Sequence, residues 1–397
     1  MRILFIHNKY GVTSGEEVMV QRIVDLLKGH GHEVEFFFRD SADIPSMFLG
    51  KFRSFFTGIF SYKSRQEVAR ILKEFQPDIV QIQNLFPLIS PSVLPVIKAH
   101  SIPVVMRLSN YRLICPNGLF LAHGVLCQKC RKGKEYFCVI KNCESSICKS
   151  LGYALRNWVA RKFRFYHDNV TLYYAQTEFQ KNILVSEGFA AERIDVIPNM
   201  VNINTIPHHG ELGKYVGFAG RISPEKGIST LIIAAAKCTN ISFKLAGDYR
   251  RLPELASSNP VNVEFLGNLD KVNLEKFYQD CRMLIMPSIC FEGFPGVLIE
   301  AMLHGKPVIC SRIGGLPEIV KNEKTGLLFA PGDADDLAQK IEYLWGRPEL
   351  CKKMGEAGRE KVMNEYSPDK YYNRLMNVYE KAILLNQESL LSSPQTR

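Results

Sequence analysis

No run of eighteen apolar residues occurs in this 397-residue sequence. A helix that spans a bilayer needs about twenty mostly apolar residues, so the sequence excludes such a span. The apolar stretch nearest the start, Ile3–Ile6, is too short for the hydrophobic part of a secretion signal and fits a first strand. We therefore expect a cytoplasmic protein.

Acidic residues are comparatively few in the first half of the chain. Residues 1–200 hold 26 Lys or Arg against 17 Asp or Glu, whereas residues 201–397 hold 24 against 23. Nearly all of the formal charge of +10 therefore belongs to the first half. On charge alone, this half can meet nucleic acid or an anionic membrane. No nucleic-acid motif is present, so we expect no nucleic acid among the partners.

Short β-rich runs alternate with helical patterns along most of the sequence, which predicts an α/β fold with parallel sheets covered on both faces. The Asn-, Pro-, His- and Gly-rich segment Asn202–Gly213 separates two such series. We predict domains at 1–203 and 204–368, with a helix over 369–390 that returns to the first. The predicted strands are Ile3–Ile6, Val34–Phe38, Ile79–Ile82, Val104–Leu108, Leu172–Ala175, Ile194–Ile197, Tyr215–Ala219, Phe243–Ala246, Val263–Leu266, Met283–Met286, Val308–Cys310 and Gly326–Phe329.

Two loops of the second half follow predicted strands and carry charged residues. Ligands of open α/β sheets bind at the carboxyl ends of the strands, so these loops are candidate sites. In the first loop, Arg221 and Lys226 lie five residues apart between glycines. Arg offers a planar fork and Lys a point charge, a combination that suits a diphosphate. Surface loops often hold both residues, so this loop alone is weak evidence.

The second loop enters a predicted helix and contains a pair of glutamates. Gly293 and Gly296 allow the backbone to approach a phosphate, and the free N–H groups of the helix start attract an anion. Glu300 lies one turn into that helix, where a carboxylate can accept hydrogen bonds from ribose hydroxyls. Glu292 precedes the helix and can accept from the hydroxyls of a transferred sugar. A solvated glutamate pair beside a helix start is the alternative interpretation.

Together these segments resemble family 4 of the nucleotide-sugar glycosyltransferases, also described as glycosyl transferases group 1. The resemblance is close over residues 215–366 and looser over residues 1–200. The motifs that carry it are Glu292-x7-Glu300, Gly220-Arg221 with Glu225-Lys226-Gly227, Leu245-Ala246-Gly247-Asp248, and Gly314-Gly315 with Pro317-Glu318. It implies the GT-B fold, in which two Rossmann-like domains face each other across a cleft, and retaining transfer without a metal.

The resemblance also implies roles for individual residues. Arg221 and Lys226 would bind the donor diphosphate, Glu300 the ribose and Glu292 the donor sugar, so that Glu292, Arg221 and Lys226 form the catalytic set. The glycine-rich loop after the first strand contributes Gly15. The predicted donor-binding residues are Gly15, Gly220, Asp248, Gly293, Phe294, Gly296, Val297 and Glu300.

The first half departs from its relatives where they often carry histidine. They frequently show His-x-His-Asn where this chain has Gln81-Ile82-Gln83-Asn84, and His-Asn-Tyr where it has Ser109, Asn110 and Tyr111. We predict Asn84, Ser109, Asn110 and Tyr111 as acceptor-side residues. In the mechanism favoured for such enzymes, the leaving phosphate oxygen takes the acceptor proton, so the missing histidine need not abolish transfer.

The main functional prediction is sugar transfer from a nucleotide-diphosphate sugar to a glycan or lipid-linked glycan acceptor in surface polysaccharide biosynthesis. The alternative is a catalytically weak, sugar-nucleotide-binding scaffold subunit, which the missing histidines motivate. The complete set of Glu292, Glu300, Arg221 and Lys226 argues against that alternative.

Six of the eleven cysteines fall between Cys115 and Cys148. Cys127 and Cys130 form half of a zinc-site signature, and Cys138 with Cys143 offers a second pair. The sequence therefore predicts either a structural zinc site on these four residues or free thiols.

An aromatic stripe at helical spacing runs from Phe48 to Phe60. Its members Phe48, Leu49, Phe52, Phe55, Phe56, Ile59 and Phe60 fall within an arc of about 140° at 100° per residue. Such a stripe fits a core helix, and its basic surroundings fit equally a helix on an anionic membrane surface. A second basic and aromatic segment, Trp158–Tyr166, favours the membrane interpretation. We therefore predict peripheral attachment to the inner face of a membrane.

Overall fold

The computed structural model of the protein describes residues 1–11, 15–203, 213–250 and 259–392. The chain divides into two compact units. The first consists of Met1–Ala122, Cys127–Pro198 and the chain from Tyr371 onward, and the second of His123–Leu126 and Asn199–Lys370. Most of the predicted boundary loop, residues 204–212, lies outside the described residues.

Eight strands and eight α-helices occur along the described part of residues 1–203. The strands are β1 (Arg2–Lys9), β2 (Glu33–Asp40), β3 (Ile79–Asn84), β4 (Val104–Arg107), β5 (Leu121–Ala122), β6 (Val125–Leu126), β7 (Leu172–Ala175) and β8 (Ile194–Val196). The helices are α1 (Gly15–Gly29), α2 (Gly50–Ile59), α3 (Tyr62–Phe75), α4 (Leu94–Ala99), α5 (Phe137–Ile140), α6 (Ile147–Lys162), α7 (Phe165–Asn169) and α8 (Glu178–Ser186).

A six-stranded parallel sheet in the order β2-β1-β3-β4-β7-β8 forms the centre of the first unit. Its inner strands are covered on both faces, and Ile3, Leu4, Phe5 and Ile6 of β1 are fully buried. A nearly continuous apolar run is what a strand buried on both faces requires. Strand order reverses between β1 and β3, so the loops that follow these strands meet at the carboxyl edge of the sheet.

The rest of the chain contains six strands and seven α-helices among its described residues. The strands are β9 (Tyr215–Ala219), β10 (Phe243–Ala246), β11 (Val263–Gly267), β12 (Cys281–Met286), β13 (Val308–Ser311) and β14 (Gly326–Phe329). The helices are α9 (Ile228–Lys237), α10 (Lys271–Asp280), α11 (Gly296–Leu303), α12 (Leu316–Ile319), α13 (Ala334–Trp345), α14 (Pro348–Glu365) and α15 (Pro368–Ser392).

The second unit is built on a parallel sheet in the order β11-β10-β9-β12-β13-β14. Its first strand, β9, lies between β10 and β12, and Val216 pairs with Phe243 on one side and Met283 on the other. The core includes Phe218, Phe243 and Phe329. Strand order reverses between β9 and β12, which places the loops after these two strands side by side.

Helix α15 packs onto the first unit through tyrosines. The hydroxyl of Tyr379 donates to Oε1 of Gln81 at 2.8 Å, and Nε2 of Gln81 donates to the hydroxyl of Tyr174 at 2.6 Å. The hydroxyl of Tyr371 lies 3.3 Å from that of Tyr174. Because all four side chains are buried, these hydrogen bonds satisfy polar groups that would otherwise be costly to bury.

The fold class predicted from the sequence is confirmed, since each of the two units is an α/β unit on a parallel six-stranded sheet. All twelve predicted strands are present, eleven of them within two residues of their expected ends, and β1 extends three residues further than predicted, to Lys9. Within the described ranges, no helix combines the length and the apolarity needed to cross a membrane.

Candidate functional site

The two charged loops of the second unit meet where strand order reverses. Because β9 and β12 pair directly, the loops after them leave the sheet as neighbours. The amide of Ile289, in the loop after β12, donates to the carbonyl oxygen of Glu225, in the loop after β9, at 3.0 Å. This hydrogen bond fixes one loop against the other.

Lys226 and Glu292 form an ion pair between these loops. The Lys226 Nζ lies 2.7 Å from Oε1 of Glu292, and the two side chains are only 17% and 11% exposed. The hydroxyl of Ser288 donates to the same carboxylate oxygen. Burial raises the pKa of Glu292, but Lys226 and the Ser288 hydrogen bond outweigh it, so the pKa lies below its usual range. Glu292 is therefore a carboxylate at neutral pH.

Gly227 allows the backbone conformation that places Lys226 beside Glu292. Its φ is +70°, in the left-handed region, and a Cβ placed on it would lie 1.9 Å from the carbonyl oxygen of Pro287. Any side chain at this position would therefore push the two loops apart. The glycine is required by the close approach of the loops as well as by the left-handed φ.

We expect Gly227→Ala to destabilise the protein more than Gly267→Ala. The φ of Gly267 is +69°, almost the same as that of Gly227, but nothing lies within 4 Å of a Cβ placed there. The left-handed conformation costs a non-glycine residue roughly 1–2 kcal/mol, and only Gly227→Ala adds a collision with Pro287. Urea unfolding of both variants measures the difference, and equal losses of unfolding free energy would contradict this account.

Arg221 is the more accessible of the two candidate diphosphate ligands. Its side chain is 64% exposed, and its guanidinium lies 2.8 Å from Oε1 of Glu225, which is 14% exposed. Gly220 precedes it with a φ of +143° and connects β9 to the loop. A guanidinium held by one carboxylate keeps N–H groups that can reach a second anion.

Glu300 lies on α11 with its carboxylate near the start of that helix. Its Oε2 accepts a hydrogen bond from the hydroxyl of Tyr278 on α10 at 3.1 Å. A Cβ placed on Gly296, the first residue of α11, would lie 3.9 Å from Oε1 of Glu300. The side chain therefore lies back along the helix toward its N-terminus, as helical side chains do.

The segment between Glu292 and α11 is anchored by a hydrogen bond from the Asn199 side chain and by one buried ring. The side-chain amide of Asn199 donates to the carbonyl oxygen of Phe294 at 2.8 Å. The Phe294 ring is buried, with its centroid 5.1 Å from that of Tyr366. Gly293 is half-buried, as is Val297 in the first turn of α11. This packing sets where the amides at the start of α11 point.

Asp248 lies after β10 and forms an ion pair with Arg250, two residues further along the chain. Its carboxylate accepts from the Arg250 backbone amide at 3.0 Å and from the guanidinium at 2.8 and 2.7 Å. Gly247 approaches the first loop so closely that a Cβ placed on it would lie 1.9 Å from the carbonyl oxygen of Gly220. Asp248 thus lies beside the Gly220–Arg221 segment, with its charge already paired.

The predicted acceptor-side residues lie after β3 and β4 in the first unit and differ in burial. Asn84 is buried, and its side-chain amide donates to the carbonyl oxygens of Asn8 at 2.7 Å and Phe86 at 3.0 Å. Tyr111 is also buried. Ser109 and Asn110 are half-buried, so they are more accessible than the other two predicted acceptor-side residues.

A charged cluster that the sequence did not predict lies beside these residues. The hydroxyl of Tyr10, after β1, donates to Glu16 at 2.9 Å and accepts from the Arg112 guanidinium at 3.2 Å. Burial raises the pKa of Tyr10, and the nearby Glu16 carboxylate raises it further. His7, 1% exposed, contacts Glu17 through Nε2 at 3.1 Å. The adjacent Glu16 and Glu17 in the first turn of α1 are one sequence signal for this cluster.

Gly15 is the first residue of α1 and follows residues 12–14, which lie outside the described ranges. A Cβ placed on it would meet nothing within 4 Å. The other residues predicted to bind the donor all lie in the second unit. The role of Gly15 in donor binding stays a prediction.

The cysteines of residues 115–143 lie close to one another, and Cys130 interacts with Cys115, Cys138 and Cys143. Cys115 shares a thiol hydrogen bond with Cys130, and Cys138 shares one with Cys143. Cys130 and Cys138 are buried, and Cys127 is half-buried. In the described part of the chain, no three or more His, Cys, Asp or Glu side chains are arranged to hold a metal ion. The zinc site on Cys127, Cys130, Cys138 and Cys143 stays a prediction.

Metal analysis tests the zinc prediction directly. If the site forms, protein purified under reducing conditions without chelator should contain about one zinc per chain and lose stability when a chelator is added. Finding no zinc in that protein would show that the thiols are structural. Changing exposed Cys148 to Ser should leave the zinc content unchanged in either case.

Residues 205–361 match the family described as glycosyl transferases group 1. An uncharacterized glycosyltransferase of Methanocaldococcus jannaschii is 34% identical over 219 residues, which cover 52% of this chain and 61% of that protein. The capsular polysaccharide biosynthesis glycosyltransferase CapM of Staphylococcus aureus is 30% identical over 175 residues, covering 41% and 45%. The chain spans about half the length of the curated relatives it matches.

The whole chain is similar in fold to solved structures. The crystal structure of Anabaena HepE in complex with UDP superimposes with a TM-score of 0.67 at 20% identity, covering 96% of this chain and 100% of that one. The loops that carry Lys226, Glu292 and Glu300 all lie within the region that matches the family. Over residues 205–361 the chain is therefore similar to the glycosyl transferases group 1, and its fold is a GT-B fold made of two parallel-sheet units.

Proposed function

We propose that the protein is a retaining family 4 glycosyltransferase that moves a sugar from a nucleotide-diphosphate donor to a glycan or lipid-linked glycan in surface polysaccharide biosynthesis. The observation that carries this proposal is the cluster of Lys226, Glu292 and Ser288 where strand order reverses between β9 and β12. Arg221 follows β9 and Glu300 lies on the helix that follows β12, so both are near the same edge of the sheet. The family match over residues 205–361 supports the same conclusion.

The donor diphosphate would bind to Arg221, Lys226 and the N–H groups at the start of α11. Its negative charge grows as the bond to the anomeric carbon breaks, and cations already in place stabilise that charge without rearranging. The acceptor hydroxyl would attack from the face that the nucleotide leaves, and the departing phosphate oxygen would take its proton. We expect no metal to be required, since Lys226 and Arg221 supply the positive charge.

Glu292 would orient the transferred sugar by accepting from its hydroxyls. In the protein described here its carboxylate is held by Lys226 and Ser288, so its position is fixed before a ligand binds. Both contacts are made to the same oxygen, Oε1. A donor would therefore meet a preorganised carboxylate, which lowers the entropic cost of aligning the sugar.

Turnover of purified protein tests the proposal. A thermal-shift screen of nucleotide sugars should find at least one that raises the melting temperature, because a ligand that binds the folded state stabilises it. UDP sugars come first, since UDP is bound in the related Anabaena fold. NMR of the product then shows whether the anomeric configuration is retained. An inverted product would contradict the retaining assignment.

A scaffold subunit that binds the donor without turning it over is the second candidate function. The observation in its favour is Ser109, which stands where relatives often have histidine. The other segment that differs from the relatives contains Gln81, whose side chain forms hydrogen bonds with Tyr174 and Tyr379 in the core. Gln81 therefore has a structural role. Donor binding without transfer or hydrolysis, for every donor that stabilises the protein, would favour the scaffold.

We also propose that the protein works at the inner face of a membrane, where a lipid-linked acceptor would lie. Support comes from the excess of basic residues in the first 200 residues. Such a charge distribution attracts a protein to anionic lipid within about one Debye length.

A further inference from the structure

The aromatic stripe of α2 is exposed rather than buried. Phe48 is 83% exposed, Phe52 62%, Phe56 52% and Phe60 49%. The interpretation of this stripe as a core helix is therefore wrong. Phe52 and Phe56 lie on α2, and Phe48 and Phe60 lie just before and just after it. Contact with water is unfavourable for such rings, and a contiguous exposed patch of this kind marks an interaction surface.

Helix α2 is held in place by Phe55, which lies at one edge of the stripe. Phe55 packs against Gly152 of α6 so closely that a Cβ on that glycine would lie 2.7 Å from the ring. The Phe56 ring makes edge contacts with Phe55 at 5.1 Å and with Phe52 at 4.8 Å. Phe55 therefore fixes the helix, while Phe52 and Phe56 remain at the surface.

Helix α6 carries a second exposed apolar stripe next to this contact. Ile147 is 65% exposed, Leu151 47% and Trp158 45%. Leu151 and Trp158 lie four and eleven positions after Ile147. At 100° per residue, the three side chains therefore fall within roughly 40° of one another around the helix. Phe163, just after α6, is 64% exposed. Two helices in contact thus each leave an apolar stripe uncovered.

The two segments that carry these stripes are rich in basic residues. Residues 47–66 hold four Lys or Arg and residues 147–166 hold five, and neither range holds an Asp or Glu. Lys63, Arg161 and Arg164 form ion pairs with Glu67, Glu135 and Asp168. Arg53, Lys149 and Lys162 are also exposed, and these three carry the electrostatic part of the inference. Exposed aromatic rings beside exposed basic residues complement the interface of an anionic bilayer, where rings enter the acyl boundary and cations contact phosphates.

We infer that α2 and α6 together form the face by which the protein docks on an anionic lipid bilayer. This surface, defined by Phe48, Phe52, Phe56, Ile147, Leu151 and Trp158, is called here the two-helix face. The inference names the lipid-binding residues for the proposed action at a membrane and rests on that proposal. A neutral apolar partner would not account for the basic residues beside both stripes.

Vesicle cosedimentation of the full-length protein tests the inference. We expect binding to vesicles that contain phosphatidylglycerol, little binding to pure phosphatidylcholine, and weakening at high salt. Phe52→Ser with Phe56→Ser should lower the partition coefficient at least about tenfold, and Leu151→Ser with Trp158→Ser should do the same. The matched control is Ile233→Ser with Val272→Ser, two exposed apolar residues of the second unit, which should bind like the unaltered protein.

Three results would overturn the inference. The unaltered protein could fail to bind anionic vesicles, either double variant could bind as well as the unaltered protein while keeping its melting temperature, or the face could mediate a dimer that persists without lipid. Nucleotide affinity is measured on the same preparations. A protein that binds nucleotide but not anionic vesicles contradicts the docking face alone, whereas one that binds no nucleotide contradicts the proposed function. If one double variant unfolds, the variant on the other helix decides.

Discussion

Replacing Lys226 with alanine should lower donor turnover at least about 10- to 100-fold. A hydrogen bond to a charged group contributes roughly 1.5–3 kcal/mol, and each 1.4 kcal/mol is about a factor of ten in rate. The side chain of Lys226 is only 17% exposed, so water screens its charge weakly. Because charge on the diphosphate grows as the bond breaks, the loss should appear mainly in kcat.

The same substitution should change how stability depends on pH. In the unaltered protein the pKa of Glu292 is depressed, so its contribution to stability is present above the ordinary carboxyl pKa and is lost as the pH falls through the depressed value. Without Lys226, less positive charge opposes the effect of burial on Glu292, so the pKa of Glu292 rises. The variant should therefore lose more unfolding free energy at neutral pH than near about pH 4, where unfolded carboxyls protonate.

Two controls separate the loss of charge from general damage. Lys226→Met keeps most of the side-chain volume and should lose turnover like the alanine variant. Lys237→Ala removes an exposed ion pair with Asp335 in the same unit and should change neither turnover nor stability by much. Full activity in Lys226→Met, with the fold intact, would remove Lys226 from the proposed clamp.

The fold was predictable because its strands are short, apolar and buried on both faces. Strand β1 is an example, since Ile3 to Ile6 are fully buried and stand out against polar flanks. The aromatic stripe of α2 could not be assigned in the same way. Helical spacing shows which residues share a face, but only the tertiary contact of Phe55 with Gly152 shows which side is covered.

Local motifs identified the loops of the candidate site but not the contacts within it. Lys226 and Glu292 are 66 residues apart, and only the pairing of β9 with β12 brings them to 2.7 Å. The roles of Ser288 and Tyr278 were missed because a single hydroxyl has no recognisable spacing. Tyr10 and Arg112 lie 102 residues apart and were missed for the same reason.

The two glutamates should respond differently when a free nucleoside diphosphate is the ligand. Glu300→Ala should weaken binding, because the proposed contact of Glu300 is with ribose hydroxyls that are present in the diphosphate. Glu292→Ala should bind the diphosphate almost normally, because its proposed contact is with the sugar, which this ligand lacks. The pairing with Lys226 reinforces this expectation, since removing Glu292 leaves the lysine available to the phosphates.

Calorimetry with UDP on the two alanine variants measures the difference, and two further variants check its cause. Glu300→Gln keeps one oxygen acceptor and should lose less affinity than Glu300→Ala. Tyr278→Phe removes the hydrogen bond of 3.1 Å to Glu300 and should cost less than removing the carboxylate, because it only orients the acceptor. Ribose contacts change little between the bound state and the transition state, so the Glu300 variants should lose donor affinity more than kcat. An equal loss of UDP affinity in Glu300→Ala and Glu292→Ala would show that the two carboxylates do not divide the donor between ribose and sugar.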